Sequence, residues 1–292
     1  MNVYSELMQI INSINGYGFD EGTNKIFEWI NNLSIYDFLE LVRQIGIIPE
    51  SIEHDSISEK LYSKASDIVL SRGFQEIGLK SCVLHERGDS ADVYAESIYY
   101  NYSLVADSKA FRLSRTAKNQ KDYKVVALSH WRQDANFAVL CAPFYQYPKS
   151  NSQIYSQALN NNVLIFSWEQ LLILLENNIK ENQFSNFSHI WNWSESYAEK
   201  ISIADAKTCF LDIELFDFSK LIGLDFKITQ QLMQKQINIL KNRGIEEINY
   251  WENVKEIICK YSREQAIDEL LKEKKIQSKI DTIDTFVRKL KL

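Results

Sequence analysis

Only three prolines and nine glycines punctuate the 292 residues, too few for long linkers or low-complexity spacers. Hydrophobic residues at 45% and aromatics at 12% exclude intrinsic disorder. The four cysteines, Cys82, Cys141, Cys209 and Cys259, stand singly with no CxxC pair. His54, His85, His130 and His189 are equally scattered and lack the spacing that puts two ligands on one helix face. A zinc site is therefore not expected, and the cysteines read as small hydrophobes of a reducing compartment. No run approaches ~18 uncharged apolar residues, and Met1 to Leu7 carries Glu6 instead of a basic stretch leading into an apolar one. A soluble intracellular protein, away from membranes, is expected. GxGxxG, GxxxxGK(S/T) and GxSxG are all missing, so no nucleotide cofactor is expected. Positive charge is also short: 33 Lys and Arg against 39 Asp and Glu leave a net charge of -6, which excludes a surface that is basic throughout.

What is present is a change of periodicity along the chain. Apolar residues recur at helical spacing in Tyr4 to Ile14, Asn24 to Asn32 and Tyr36 to Ile45, and Pro49 and Glu50 then break the pattern. A further helix runs from Ser56, with Ser56 or Ser58 as N-cap, through Leu61, Ala65, Ile68, Val69 and Phe74. Asp92 to Tyr100 and Tyr102 to Lys109 are short β-branched or aromatic runs about Asn101, which reads as a hairpin. Asn136 to Phe144 and Asn162 to Trp168 read as buried strands with a helical stretch from Ser150 to Leu159 between them. Helical periodicity returns in Leu171 to Leu175, Thr229 to Asn242, Trp251 to Tyr261 and Arg263 to Leu271. No repeat or linker interrupts it. One α/β domain over residues 1–292 is expected, with a central mixed sheet between N-terminal helices and a long C-terminal helical part. Its core spans about 56–175 and the helical part about 176–292.

The hairpin carries chemistry. Residues i and i+2 of a strand share a face, so Asp107 and Lys109 project together and Ser108 points away. With Tyr100 and Asn101 as the turn, Tyr99 pairs with Tyr102 and Asp92 falls opposite Lys109 on that same face. Two carboxylates and an ammonium then meet at the open end. Hard oxygen ligands of this kind suit Mg²⁺ or Mn²⁺, and the lysine can orient water for attack on a phosphodiester. A bare (D/E)xK triplet is weak evidence, because five occur, at Asp107, Asp122, Asp205, Asp225 and Glu273. Only the Asp107 triplet ends an apolar strand whose hairpin partner begins with another acid. A surface ion pair at a strand end is the bland reading.

From Lys109 to Arg132 the chain carries Lys109, Arg112, Arg115, Lys118, Lys121, Lys124 and Arg132 against Asp122 alone, a segment of +6. Subtracting it from the net -6 leaves -12 elsewhere. The first six basic residues recur at every third position, which fits neither one helix face nor an alternating strand. The segment reads as a loop or a short helix entrance, with Thr116, Asn119 and Gln120 able to read base edges. A solvated charged face is the alternative. The metal-type hairpin beside it favours nucleic acid.

The run LVADSKAFRLSRTAKNQKDYKVVALSHWR, preceded by HERGDSADVYAESIYYNYS, resembles the core of the HindIII-type restriction endonucleases, a branch of the PD-(D/E)xK nuclease superfamily. LVRQIGIIPESI, EKLYSKASDIVLSRGFQ, NFAVLCAPFYQYP, SQIYSQAL and VLIFSWEQLLILL extend the resemblance, and EQAIDELL and KIDTIDTF carry it more weakly towards the end. It implies a type II enzyme, a bacterial cytoplasmic homodimer that uses Mg²⁺ to cut palindromic double-stranded DNA at A/AGCTT and leave 5′ overhangs. It implies Asp92 and Asp107 as metal carboxylates, the Ser108 carbonyl as a further ligand, and Lys109 as the catalytic lysine. The loop Arg115 to Lys121 matches the family's major-groove contacts: Asn119 and Lys121 are expected on base edges, Arg115 and Lys118 on phosphates or bases. Asp122 matches a position near the active site, with a tuning role. The chain departs from the pattern in places. Ala91 stands for the superfamily proline, Ser108 for an alanine, His130 for a glutamate, and His85 for a glutamate near the metal with Glu86 one residue later, so the tuning role falls to His85 or Glu86. A structure-selective or repair nuclease, or a DNA-binding protein without activity, are the competing classes.

Overall fold

The computed structural model describes residues 2–14, 18–84, 90–115, 120–148, 152–198 and 210–289. The amphipathic N-terminal segments fold as α1 (Val3–Ser13), α2 (Phe19–Asn32) and α3 (Ile35–Ile45). Each buries one apolar stripe, exemplified by Leu7 and Ile11, Ile26 and Ile30, and Phe38 and Leu41. α4 (Ile57–Glu76) begins where the Ser56 hydroxyl accepts the Glu59 N–H at 3.1 Å, which selects Ser56 over Ser58 as the cap. From Ala65 to Phe74 it is buried all round, with α2 and the sheet packed against it. Gly78 turns the chain out of this helix at a φ of 97°, and a Cβ there would stand 2.5 Å from the Glu181 carbonyl oxygen. Only glycine fits.

Five strands, β1 (Leu79–Val83), β2 (Val93–Ser97), β3 (Ser103–Ser108), β4 (Phe137–Ala142) and β5 (Val163–Ser167), lie in that order in one mixed sheet. β1, β2 and β3 are antiparallel to one another in turn, whereas β3, β4 and β5 are parallel. Parallel neighbours need crossovers. α5 (Gln120–Tyr123) and α6 (Val125–Trp131) supply the first and α7 (Gln153–Asn161) the second. After β5 the chain continues in α8 (Trp168–Glu176), α9 (Ser188–Trp191), α10 (Trp193–Ala198), α11 (Phe210–Leu221), α12 (Phe226–Cys259), α13 (Arg263–Glu273) and α14 (Ile276–Lys289). Met1–Asn242 and Arg243–Leu292 form two compact units, and the sheet belongs to the first.

The expected mixed sheet and both buried strands are present. Three details differ. β1 carries Lys80, Ser81 and Cys82 in an exposed and buried alternation that is too polar to read as a strand by apolar content. Thr229 to Asn242 and the stretch from Trp251, as far as Cys259, are parts of the single helix α12, in which Arg243 reaches Glu246 at 3.0 Å and Glu247 at 2.6 Å and so supports the turn around Gly244. The hairpin turn is also longer than Tyr100 and Asn101. The Ser97 hydroxyl accepts the N–H groups of Tyr99 and Tyr100 at 3.2 and 2.8 Å, and Ser97 N–H donates to the Tyr102 carbonyl. The register is therefore Val93 with Ala106 and Ala95 with Leu104, which continues to Asp92 opposite Asp107. This shift of two residues preserves the face that a shift of one would have exchanged.

Candidate active site at the end of the central strands

Asp107, Ser108 and Lys109 leave the C-terminal end of β3 beside β4. Lys109 N–H donates to the Cys141 carbonyl at 2.7 Å, carrying the ladder one residue past the strand, and the Lys109 carbonyl accepts from Trp168 Nε1 at 3.0 Å. The main chain of this lysine is thus held from two sides. Asp92 precedes β2, with its N–H on the Ala106 carbonyl at 3.2 Å and its carbonyl on Leu84 N–H at 2.8 Å. The pleat puts Asp92, Asp107 and Lys109 on one face of the hairpin and Ser108 on the other. There Ser108 Oγ donates to Asp67 Oδ1 at 2.7 Å and lies 2.7 Å from Ser66 Oγ, both on α4.

Asp107 is 1% exposed. The Lys109 ammonium donates to its Oδ1 at 2.7 Å and stands 2.6 Å from Oδ2, yet Oδ2 is buried with no hydrogen bond. Burial pushes the Asp92 carboxyl up to about 9, aided by the charge of Asp67 and by the hydrogen bond and charge of Asp107, with Lys109 opposing. Burial likewise lifts Asp67 to about 6 against the pull of Lys64 and of the Ser108 hydroxyl. Lys109 would be lowered by its burial, but the charges of Asp107, Asp92 and Asp67 outweigh that and hold it above the usual lysine range. Opposed carboxyls that leave one member holding its proton lack positive charge between them. Two adjacent carboxylates are the hard oxygen donors that a divalent cation takes.

The structure therefore brings Asp92, Asp107 and Lys109 to one face, as strand alternation suggests, and turns the Ser108 side chain to the other. It adds Asp67, paired with Lys64 at 3.4 Å, and Trp168. An acid in the midst of the apolar SDIVLS run was a readable signal for Asp67, whereas nothing local marks Trp168. A second group forms on the following segment: exposed Arg115 pairs with Asp122 of α5, its guanidinium lies 5.9 Å from the centre of the Phe111 ring, and exposed Lys121 adjoins Asp122. His85, Glu86, Lys118 and Asn119 lie outside the described residues. His54, Asp55 and Glu59 also bring ligand atoms within 4.8 Å of one another, but His54 and Asp55 are exposed and Glu59 is committed to Arg112.

A family model described as HindIII restriction endonuclease matches residues 28–287. The type II restriction enzyme HindIII of Haemophilus influenzae (strain ATCC 51907 / DSM 11121 / KW20 / Rd) is 46% identical over 287 residues, covering 98% of this chain and 95% of that enzyme. Among solved structures, restriction endonuclease FokI matches with a TM-score of 0.35 and 11% identity, over 55% of this chain and 31% of that one, a likeness too loose to bear on the site.

Proposed function

The chain belongs to the HindIII restriction endonuclease family, and from that membership we propose that it is a Mg²⁺-dependent type II enzyme cutting double-stranded DNA at A/AGCTT to leave 5′ overhangs, with Mn²⁺ as a substitute. The observation that carries the chemical part is the meeting of Asp92, Asp107 and Lys109 on one face at the end of β3. Asp92 and Asp107 would hold the cation with the Ser108 carbonyl. The chemistry such a cation would supply is a stronger water nucleophile near neutral pH and an offset to charge growing on the phosphate. Lys109, fixed against Asp107, orients the water that attacks phosphorus and lends its charge to the reacting phosphate as the 3′ oxygen departs. Arg115, Lys118, Asn119 and Lys121 contact the DNA, and His85, Glu86 and Asp122 tune the site.

A palindromic site is matched by a two-fold symmetric protein, so the working species is a homodimer, each copy one restriction endonuclease domain. Its support is the second compact unit, where Ile276, Ile280, Ile283 and Val287 recur at helical spacing along α14 and are all exposed, a face suited to a second copy. No helix among the described residues is long and apolar enough to cross a membrane, in keeping with action in a bacterial cytoplasm. Digestion of phage DNA with Mg²⁺, followed by sequencing of the ends, tests the reading. Discrete fragments ending at AGCT are expected, and Asp107→Ala or Lys109→Ala should abolish them while leaving DNA binding measurable. A smear would instead identify a nuclease without a fixed site, and intact DNA a binding protein.

A further inference from the structure

The basic stretch after Lys109 is held at its start by an acid that belongs to a different part of the chain. Glu50, in the connection between α3 and α4, is 7% exposed. Its carboxylate accepts the Ser114 N–H at 3.0 Å and the Ser114 hydroxyl at 2.8 Å. The same connection grips the residues before Ser114. Phe111 N–H donates to the Gly46 carbonyl at 3.0 Å and the Phe111 carbonyl accepts from Ile48 N–H at 3.2 Å, a short parallel bridge between Ile47 and Phe111. Arg112 donates to the Ile52 carbonyl at 2.7 Å and pairs with Glu59. Residues 111–114 are thus laid along residues 46–59, and Arg115 is the next residue out.

A carboxylate close to a DNA-contacting segment ordinarily weakens binding, because it repels phosphate. Glu50 is turned inward instead, onto an amide and a hydroxyl, where charge-assisted bonds are strong and directional. We propose that Glu50 is a positioning residue for sequence discrimination: by fixing Ser114 it sets the direction in which Arg115 meets the DNA, without touching the DNA itself. This rests on the reading of Arg115 to Lys121 as the DNA-contacting loop.

Repulsion and positioning predict opposite signs for Glu50→Gln. The amide removes a negative charge, so simple electrostatics gives tighter binding to every duplex. The amide oxygen can keep the bond from Ser114 N–H, and its NH₂ group can donate to the Ser114 hydroxyl in the reverse direction, but neither bond is then charge-assisted. Weakening two charge-assisted bonds to neutral ones is worth about tenfold, and the cost of holding the loosened segment in place falls on the complex that needs it in one direction, the correctly docked one. The experiment compares wild type, Glu50→Gln, Ser114→Ala and Ser114→Thr by fluorescence anisotropy without divalent cations, on the duplex the wild type cuts and on one with a single base pair changed. Steady-state cleavage with Mg²⁺ is measured alongside.

Glu50→Gln and Ser114→Ala should lower the ratio of affinities about tenfold and raise KM, with kcat within about twofold. Ser114→Thr, which keeps the hydroxyl, should retain the ratio. An unchanged ratio in Ser114→Ala, or uniformly tighter binding by Glu50→Gln, overturns the proposal. Arg115→Ala and Lys121→Ala serve as separate controls. If both leave DNA affinity unaltered, the loop reading itself has failed and the proposal falls with it.

Discussion

Replacing Trp168 by phenylalanine removes one hydrogen bond while keeping a ring in place. Its Nε1–H is the donor to the Lys109 carbonyl at 3.0 Å, and the indole is 3% exposed. A buried carbonyl stripped of its donor costs about 1–3 kcal/mol, and the smaller ring leaves space worth roughly 1 kcal/mol more. The sum is about 2–4 kcal/mol, or roughly 5–12 °C of Tm for a domain of this size. Catalysis should suffer separately, because the Cys141 carbonyl would then be the remaining main-chain anchor of Lys109. Misplacement by about 1 Å can cost on the order of 100-fold in rate, so a fall of about 10- to 100-fold is expected in single-turnover cleavage of prebound DNA. Gly46→Ala crowds the same indole: its Cβ would stand 2.7 Å from Trp168 Cδ1 and 2.8 Å from Pro143 Cγ, so the indole or the proline must shift. Single-turnover rates within about twofold of wild type, measured well below the Tm of each variant, would refute the role of Trp168 in placing Lys109.

Glu214 gives a pH test at a residue outside the candidate site. Its Oε1 accepts from Gln170 at 2.7 Å, its Oε2 is buried without a partner, and burial pushes the carboxyl from 4.5 up to about 8. A group whose folded pKa is raised contributes stability that is complete below its unfolded value and is lost as pH rises through the folded one. Glu214→Gln should therefore gain on wild type in Tm between about pH 5 and pH 8, and a constant offset across that range would contradict the burial argument. Arg115→Ala and Lys121→Ala should each reduce the slope of log affinity against log salt by about 0.9 for every phosphate the side chain had neutralised, as read by anisotropy; unchanged slopes would place both residues off the phosphates.

Much of the site was legible because strand periodicity is strict. A two-residue error in the hairpin turn still left Asp92 beside Asp107, since alternation has a period of two and only odd shifts exchange faces. The turn itself was not legible. It depends on Ser97, whose hydroxyl gathers two N–H groups and is held by Glu181, a partner 84 residues away in sequence. Trp168 and Glu50 share that difficulty. Each acts through a contact with the segment around Lys109, and each comes from a helix or connection whose local pattern explains it without reference to the site. The caps were easier, because Ser56 needs only Glu59, three residues on.

The basic segment shows why counting charge misleads even when it points to the right region. Of the positive charges between Lys109 and Arg132, Lys109 lies against Asp107, Arg112 is spent on Glu59 and the Ile52 carbonyl, and Arg132 donates to the Asn161 and Asn162 carbonyls. Lys124 sits 5.3 Å from the centre of the Trp131 ring. The spacing of three that fitted neither helix nor strand has a physical cause: residues 111–114 run from the end of β3 along residues 46–59, Gln120 begins α5 and Val125 α6, and the described basic residues serve different neighbours. Arg115, Lys121 and Lys124 remain exposed among the described residues. Of the segment's described positive charges, about half are thus presented to a polyanion. It follows that affinity should depend less steeply on salt than six phosphate contacts would require, and that fixing the direction of those few side chains, as Glu50 does, counts for more than adding charge.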